Sequence, residues 1–228
     1  MELKGFRGNF VVMSVSLVAV SSPVVPGLAT AEDLIAYAAR VSNPSNQSSP
    51  DRGRLLKYCI DHGHWSVFET ATMTVEIETT RAVASQILRH RSFTFQEFSQ
   101  RYAVVETDPE PQAARSPDPK NRQASRDDLP DDVKDWWREA QREAFAVATD
   151  AYLGALDRGI AKESARFVLP LATPTKLYMT GNVRDWIHYI RLRTGNGTQP
   201  EHVEVAEGVK AAFVGCFPCV SRAMGWIV

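Results

Sequence analysis

Apolar and polar residues alternate along two stretches of the chain and recur at helical spacing along several others. Met13, Val15, Leu17 and Ala19 interleave with Ser14, Ser16 and Val18, the period-two mark of a strand that the Ser21-Ser22-Pro23 cluster ends. Thr72 to Glu78 alternates strictly, which predicts a second strand with one face on the core. Between them, Thr30 followed by Asp33 forms a capping pattern before Leu34, Ile35, Ala38 and Val41, so a helix starts near Ala31. Pro50 at a first helical position, Leu55, Leu56, Cys59 and Ile60 on one face, and Gly63 at the end outline another, with Cys59 as a small core hydrophobe. Thr79 or Thr80 caps the next helix, in which Val83, Ile87 and Leu88 face inward and Gln86 and Arg89 share a neighbouring stripe, Arg89 in the last turn.

Farther along, Pro109 to Pro130 lacks apolar periodicity and reads as a long surface loop. Asp131 to Arg158 is a strong amphipathic helix stopped by Gly159, with Val133, Trp137, Ala140, Ala144, Val147, Ala151 and Ala155 at helical spacing and Trp136 and Trp137 as packing anchors. Ala161 to Leu169 suggests a shorter helix ended by Pro170. Asn182 caps a helix whose apolar stripe is Val183, Trp186, Ile187 and Ile190, while Arg184, His188 and Arg191 share the opposite side. A last helix runs from about Pro200 to Gly215 with Val203, Ala206, Val209 and Phe213 on one side.

Composition narrows the class. The 228 residues are 44% hydrophobic and 23% charged, enough for a full core and read as one domain spanning residues 1–228. A net charge of -1 argues against bulk binding to a nucleic-acid backbone, so any basic site is local. Three cysteines make no disulfide framework and fit a reducing cytoplasm. The longest apolar run, Phe10 to Val20, is too short to span a bilayer, so no membrane association is expected.

The chemistry concentrates in Arg89 to Tyr102, where Arg89, Arg91 and Arg101 stand with His90, Glu97 and Ser99 among aromatic residues. Arginine forks suit phosphate and carboxylate, and this stretch uses no lysine. The helix dipole gives Arg89 a structural reason to exist but leaves Glu97, Ser99 and Arg101 without one. Arg193 falls near the apolar edge of its helix and must be snorkelled or paired. Cys216-Phe217-Pro218-Cys219 has redox spacing, yet it follows a helix rather than opening one after a strand, and no second ligand pair completes a metal site. No Gly-rich phosphate loop is present, so a nucleotide would be held by side chains. The competing reading is a non-catalytic phosphate- or RNA-binding module, which requires salt-sensitive nucleic-acid binding.

The spacing Arg89-His90-Arg91, then Ser99 and Arg101, resembles the signature of the flavin-dependent thymidylate synthases. His64-Trp65-Ser66-Val67-Phe68-Glu69 is similar to that family's His-x-Ser-Pro-Phe-Glu segment with Val67 in place of proline. Arg166-Phe167-Val168-Leu169-Pro170 and the helix from Asn182 and Arg184 through Arg193 to Gln199 also match, whereas Thr198-Gln199-Pro200 departs from the usual Ala-Gln-Trp. The resemblance implies an α+β fold, a twisted, mainly antiparallel sheet flanked by helices, assembled as a homotetramer with shared active sites. It implies reductive methylation of dUMP to dTMP, with 5,10-methylenetetrahydrofolate and NADPH as co-substrates and FAD as cofactor. By the same resemblance Gln86, Arg89, Glu97, Ser99, Arg101, Arg166 and Arg193 bind the nucleotide, Arg193 acting catalytically beside the pyrimidine. His64, Ser66, Arg89, His90, Arg91, Glu97, Asn182, Arg184 and His188 then hold the flavin, no metal is required, and no cysteine stands at a catalytic position of the family.

Overall fold

The structure is a computed structural model that describes residues 13–227; Phe10, Val11 and Val12 of the apolar run, and both ends of the 1–228 domain assignment, lie outside the described residues. In chain order the elements are β1 (Ser14–Val20), α1 (Ala31–Ala39), α2 (Gly53–Asp61), a 3-10 turn (Trp65–Thr70), β2 (Thr72–Thr80), α3 (Arg81–Ile87) and β3 (Thr94–Glu97). They continue with β4 (Ser116–Pro117), β5 (Ser125–Arg126), α4 (Asp131–Asp157), α5 (Lys162–Ala165), β6 (Pro174–Asn182), α6 (Val183–Arg193), α7 (Pro200–Cys216) and α8 (Pro218–Ala223). The expected α+β class with an antiparallel sheet flanked by helices is what the chain forms.

The main sheet has the order β1-β2-β6-β3 with every neighbouring pair antiparallel. Alternation sorts its two faces. Met73, Val75 and Ile77 of β2 and Leu177 and Met179 of β6 are buried beneath α3, α6 and α7, in one core with Ile187, Ile190, Val205 and Val209. On the other face Thr74 and Thr180 share a hydrogen bond of 2.9 Å, Tyr178 donates to Glu76 at 2.6 Å, and Lys176 bridges Glu76 and Glu78 at 3.1 and 3.0 Å. Such cross-strand polar pairs let one face meet water while the other buries its side chains. β6 was not anticipated from sequence, although Thr175, Leu177 and Met179 alternate with Lys176, Tyr178 and Thr180 in the same way.

Gly181 of β6 admits the ring of Phe93 against the strand: a Cβ there would lie 2.4 Å from a ring carbon. Phe93 stacks edge-on against Trp186 at 4.6 Å, and the Trp186 indole donates to the carbonyls of Met73 at 3.0 Å and Gly181 at 3.1 Å. This aromatic plug ties the turn after α3 to the start of α6. Both segments carry site residues.

Several local expectations hold. Thr30 and Asp33 form a reciprocal capping box on α1, Thr80 caps α3, Asn182 caps α6, and Cys59 is buried. Others need correction. α2 starts at Gly53 rather than Pro50, because the Arg40 guanidinium takes the carbonyls of Ser49 and Asp51 and holds that stretch as a turn. α3 closes at Ile87, so Leu88 turns outward and Arg89 follows the helix instead of sitting in its last turn. The 109–130 loop contains the β4–β5 pairing, braced by Asp118, which accepts from the backbone of Lys120 and Asn121 and from Arg126.

The largest departure is α4. Its apolar stripe is exposed, Trp136 at 66% and Val147 at 70%, so the tryptophans do not anchor this chain's core. α4 packs on α5 and the turn after it, and it holds the chain from Val105 to Gln112 through Tyr152 and Gln141. Periodicity established an amphipathic helix but could not say what its apolar side meets.

Candidate active site

The stretch after α3 begins as a tight turn, with His90 N–H on Ile87 O at 3.0 Å and Phe93 N–H on His90 O at 3.2 Å, before β3 joins the sheet edge. That turn places His90 against the last turn of α6, where Arg193 Nε donates to His90 Nε2 at 2.9 Å. The awkward arginine is thus paired with a neutral ring rather than a carboxylate. Burial, then the charge of Arg193 and the neighbouring His188, pulls the His90 pKa down to about 4, so its Nε2 lone pair stays available to Arg193. Arg193 makes no other hydrogen bond among the described residues, which leaves its terminal nitrogens as a held, uncompensated fork.

On the outer side of α6 a cleft of about 740 Å³ is lined by Trp65, Ser92, Arg184, Asp185, Ile187, His188, Arg191 and Leu192. Two of these, Arg184 and His188, were expected to hold a cofactor. Sequence reading missed Trp65, Ser92 and Asp185 and placed Arg191 on the right helix face without giving it a role. Burial pushes Asp185 above the usual carboxylate range, the Ser92 hydroxyl opposing it and Glu69 reinforcing it. Arg184 is ion-paired with Glu69 on an exposed surface. His64 and Ser66 flank Trp65 at the 3-10 turn and are exposed. Asn182 spends its side-chain oxygen on the backbone of Asp185 at 2.9 Å, a capping role that fixes where α6 begins.

Gln86 lies at the centre of a second polar group. His202, fully buried on α7, has Nδ1 3.3 Å from Gln86 Oε1 and Nε2 3.1 Å from the Tyr189 hydroxyl; Gln86 in turn donates to Gln199 at 2.6 Å. The His90 ring meets Tyr189 edge-on at 4.9 Å and His202 at 6.4 Å, so the Arg193–His90 pair and the Gln86 chain share one wall.

The remaining candidates disperse. Glu97 is engaged by Arg81 and by the Thr175 hydroxyl at 3.0 Å, so within this chain its carboxylate faces protein partners. Arg101 pairs with Glu163 at 3.2 Å on the surface, beside a cleft of about 500 Å³ next to the segment that carries Arg166. Arg166 lies over the exposed Phe167 ring at 5.8 Å. Arg89, Arg91 and Ser99 are exposed, and neither arginine takes part in an ion pair among the described residues. The chain therefore unites Arg193 with His90 and Arg184 with His188, but does not gather Arg89, Ser99, Arg101 and Arg166 of the expected nucleotide set in one cleft. Burial raises the Cys216 thiol above its ordinary pKa, the reverse of what an attacking thiol needs.

An antiparallel α+β fold whose α6 sets Arg184 and Arg191 beside the Trp65 ring in one cleft has the donors and the flat wall that an anionic, ring-bearing ligand requires. Comparison with known proteins narrows it. The family described as "Thymidylate synthase complementing protein" matches residues 24–219. The chain is 56% identical over 216 residues to a probable flavin-dependent thymidylate synthase of Paramecium bursaria Chlorella virus 1, covering 94% of this chain and 100% of that protein. It is 52% identical over 195 residues to a flavin-dependent thymidylate synthase of Synechocystis sp., covering 86% and 90%. Among solved structures, the UMP/dUMP methylase PolB from Streptomyces cacaoi bound with 5-Br dUMP superposes with a TM-score of 0.80 at 27% identity over 97% of each chain. The chain belongs to the flavin-dependent thymidylate synthase family of enzymes.

Proposed function

We propose that this chain is a single-domain enzyme that converts dUMP to dTMP by reductive methylation, with 5,10-methylenetetrahydrofolate as carbon donor, FAD as cofactor and NADPH as reductant. The observation that carries the reading is the Arg193–His90 pair. A guanidinium held at 2.9 Å by a neutral imidazole keeps its full charge and a fixed direction, which suits it to polarise a pyrimidine carbonyl and activate the ring carbon for attack. A carboxylate partner would have cancelled that charge.

The cleft outside α6 fits a flavin dinucleotide. Arg184, Arg191 and His188 offer cationic or donor groups to a pyrophosphate, Ser92 adds a hydroxyl, and Trp65, Ile187 and Leu192 give flat or apolar wall to a ring. When bound, the flavin supplies the hydride. His64, Ser66, His90, Arg91 and Asn182 complete that set in the proposal, Asn182 by orienting the helix start. For the nucleotide, Arg89, Ser99, Arg101 and Arg166 take the phosphate and Gln86 the sugar or base. Arg101 is available for this because its surface pair with Glu163 is worth at most about 1 kcal/mol and exchanges readily for a dianion. Glu97, already held by Arg81, serves by orienting the edge strand between the two ligand sets.

The dispersal of these groups, together with the exposed stripe of α4, supports a homotetramer in which each site draws residues from more than one chain. Three free cysteines suit a reducing cytoplasm. Among the described residues no helix is long and apolar enough to cross a membrane. Reconstitution with FAD tests the reading: the purified chain should turn yellow and retain flavin on desalting. A folded protein that stays colourless, and instead binds nucleic acid in a salt-sensitive way, would establish the binding-module alternative.

A further inference from the structure

A chain of hydrogen bonds runs from the core to the 109–130 segment. It passes from the Tyr189 hydroxyl to His202 Nε2 at 3.1 Å, from His202 Nδ1 to Gln86 Oε1 at 3.3 Å, from Gln86 Nε2 to Gln199 Oε1 at 2.6 Å and from Gln199 Nε2 to Glu201 Oε2 at 2.9 Å. Arg115 closes it on Glu201 Oε1 at 2.6 Å in a largely buried ion pair. An imidazole or a side-chain amide can run such a chain in either direction, because each carries both a donor and an acceptor. Only the last link is one-way.

Burial acts to raise the Glu201 pKa, but hydrogen bonds from Arg115, its own backbone N–H and Gln199, with the charge of Arg115, outweigh it and hold the carboxyl below its ordinary range. Ionised, it can only accept. Gln199 must therefore turn its NH2 to Glu201 and its carbonyl to Gln86. Gln86 then gives its NH2 to Gln199 and its carbonyl to His202, so the His202 proton sits on Nδ1 and Nε2 accepts from Tyr189. His202 cannot escape by protonating both nitrogens, since burial, then Arg193 and His90, draw its pKa down to about 3.

We propose that the Arg115–Glu201 ion pair is a positioning device that, relayed through Gln199, locks the Gln86 amide as a hydrogen-bond donor toward an acceptor oxygen of the bound nucleotide. This rests on the proposed nucleotide-binding role of Gln86. It also gives the long 109–130 segment a function, since Arg115 is the residue through which that segment sets the polarity of the site. Without the carboxylate anchor, Gln199 and Gln86 reverse freely, and the reversed amide faces the nucleotide oxygen to oxygen.

Two measurements on the flavin-loaded enzyme test it. In 15N-histidine-labelled protein, His202 should appear as the neutral Nδ1–H form from pH 8 down to about 4.5; the Nε2–H form would overturn the relay. Glu201→Gln keeps the shape, but Arg115 holds the new amide's oxygen and leaves its NH2 facing Gln199. Calorimetric dUMP affinity should therefore fall about tenfold with flavin content unchanged, and His202 should shift to the Nε2–H form. The folded variant should melt below wild type because the buried pair has lost one charge. Affinity within about twofold of wild type in the folded, flavin-loaded variant would refute the proposal. The two readings fail separately. Wild-type enzyme that binds no dUMP removes the nucleotide role, whereas an Nε2–H His202 in wild type breaks the relay whatever the enzyme binds.

Discussion

Replacing Gly181 by alanine tests how the fold sets the site. The added Cβ would lie 2.4 and 2.5 Å from two ring carbons of Phe93 and 3.3 Å from a third. Ordinary contact begins near 3.4 Å, so the ring must retreat by roughly 1 Å. Phe93 has little room to do so, being 8% exposed and wedged edge-on against Trp186 at 4.6 Å and Tyr189 at 5.9 Å. Overpacking of this kind costs about 1–3 kcal/mol, which for a chain of this size lowers the melting temperature by about 2–4 °C per kcal/mol. The disturbance also reaches the chemistry, because Phe93 N–H is bonded to the carbonyl of His90, the residue that holds Arg193. Thermal unfolding followed by circular dichroism should show a fall of about 2–12 °C, with a drop in turnover larger than the loss of folded protein explains. A melting temperature within about 1 °C of wild type would refute the packing reasoning, since it would mean the ring gives way freely.

Arg193→Ala should leave flavin binding and the melting temperature intact while turnover falls by about 10²–10³-fold, as expected for losing a preorganised charge at the reacting ring; unchanged turnover would remove Arg193 from the chemistry. His90 and His202 have folded pKa values of about 4 and about 3, below the ordinary 6.5, so their stabilising share is present above pH 6.5 and lost as pH falls toward 3–4. For the fully buried His202 the loss by pH 4.5 is at most about 2.7 kcal/mol, from two pH units at ~1.36 kcal/mol each, and urea unfolding at pH 7 and pH 4.5 reads it directly. Changing Cys216 and Cys219 together to serine should preserve activity; loss of turnover in a folded double variant would restore a thiol mechanism.

Local signals were legible wherever a residue acts on its near neighbours. The Thr30–Asp33 box, the Asn182 cap and the alternation through Thr72–Glu78 each depend on contacts within a few positions, and each appears as read. β6 shows the same alternation between Pro174 and Gly181-Asn182 and was legible but overlooked, whereas its glycine matters only because Phe93 arrives from far along the chain. Spacing could place Arg193 near an apolar edge yet could not name His90 as its partner, 103 positions away. Nor could it show that Arg81 and Thr175 would occupy Glu97. The Gln86–His202 contact joins residues 116 apart, and a buried histidine inside an apolar helix stripe carries no local mark of its role. For the exposed stripe of α4 the amphipathic pattern is plain, but periodicity carries no information about what that stripe meets.

The central claim is that this chain moves a one-carbon unit onto dUMP by way of a bound flavin. The most direct measurement incubates the FAD-loaded protein with dUMP, NADPH and methylenetetrahydrofolate carrying an isotopic label in the methylene carbon, and follows the nucleotide by mass spectrometry. Labelled dTMP should form only when flavin, reductant and labelled folate are all present. Folded, yellow, dUMP-binding protein that yields no labelled dTMP under those conditions would contradict it.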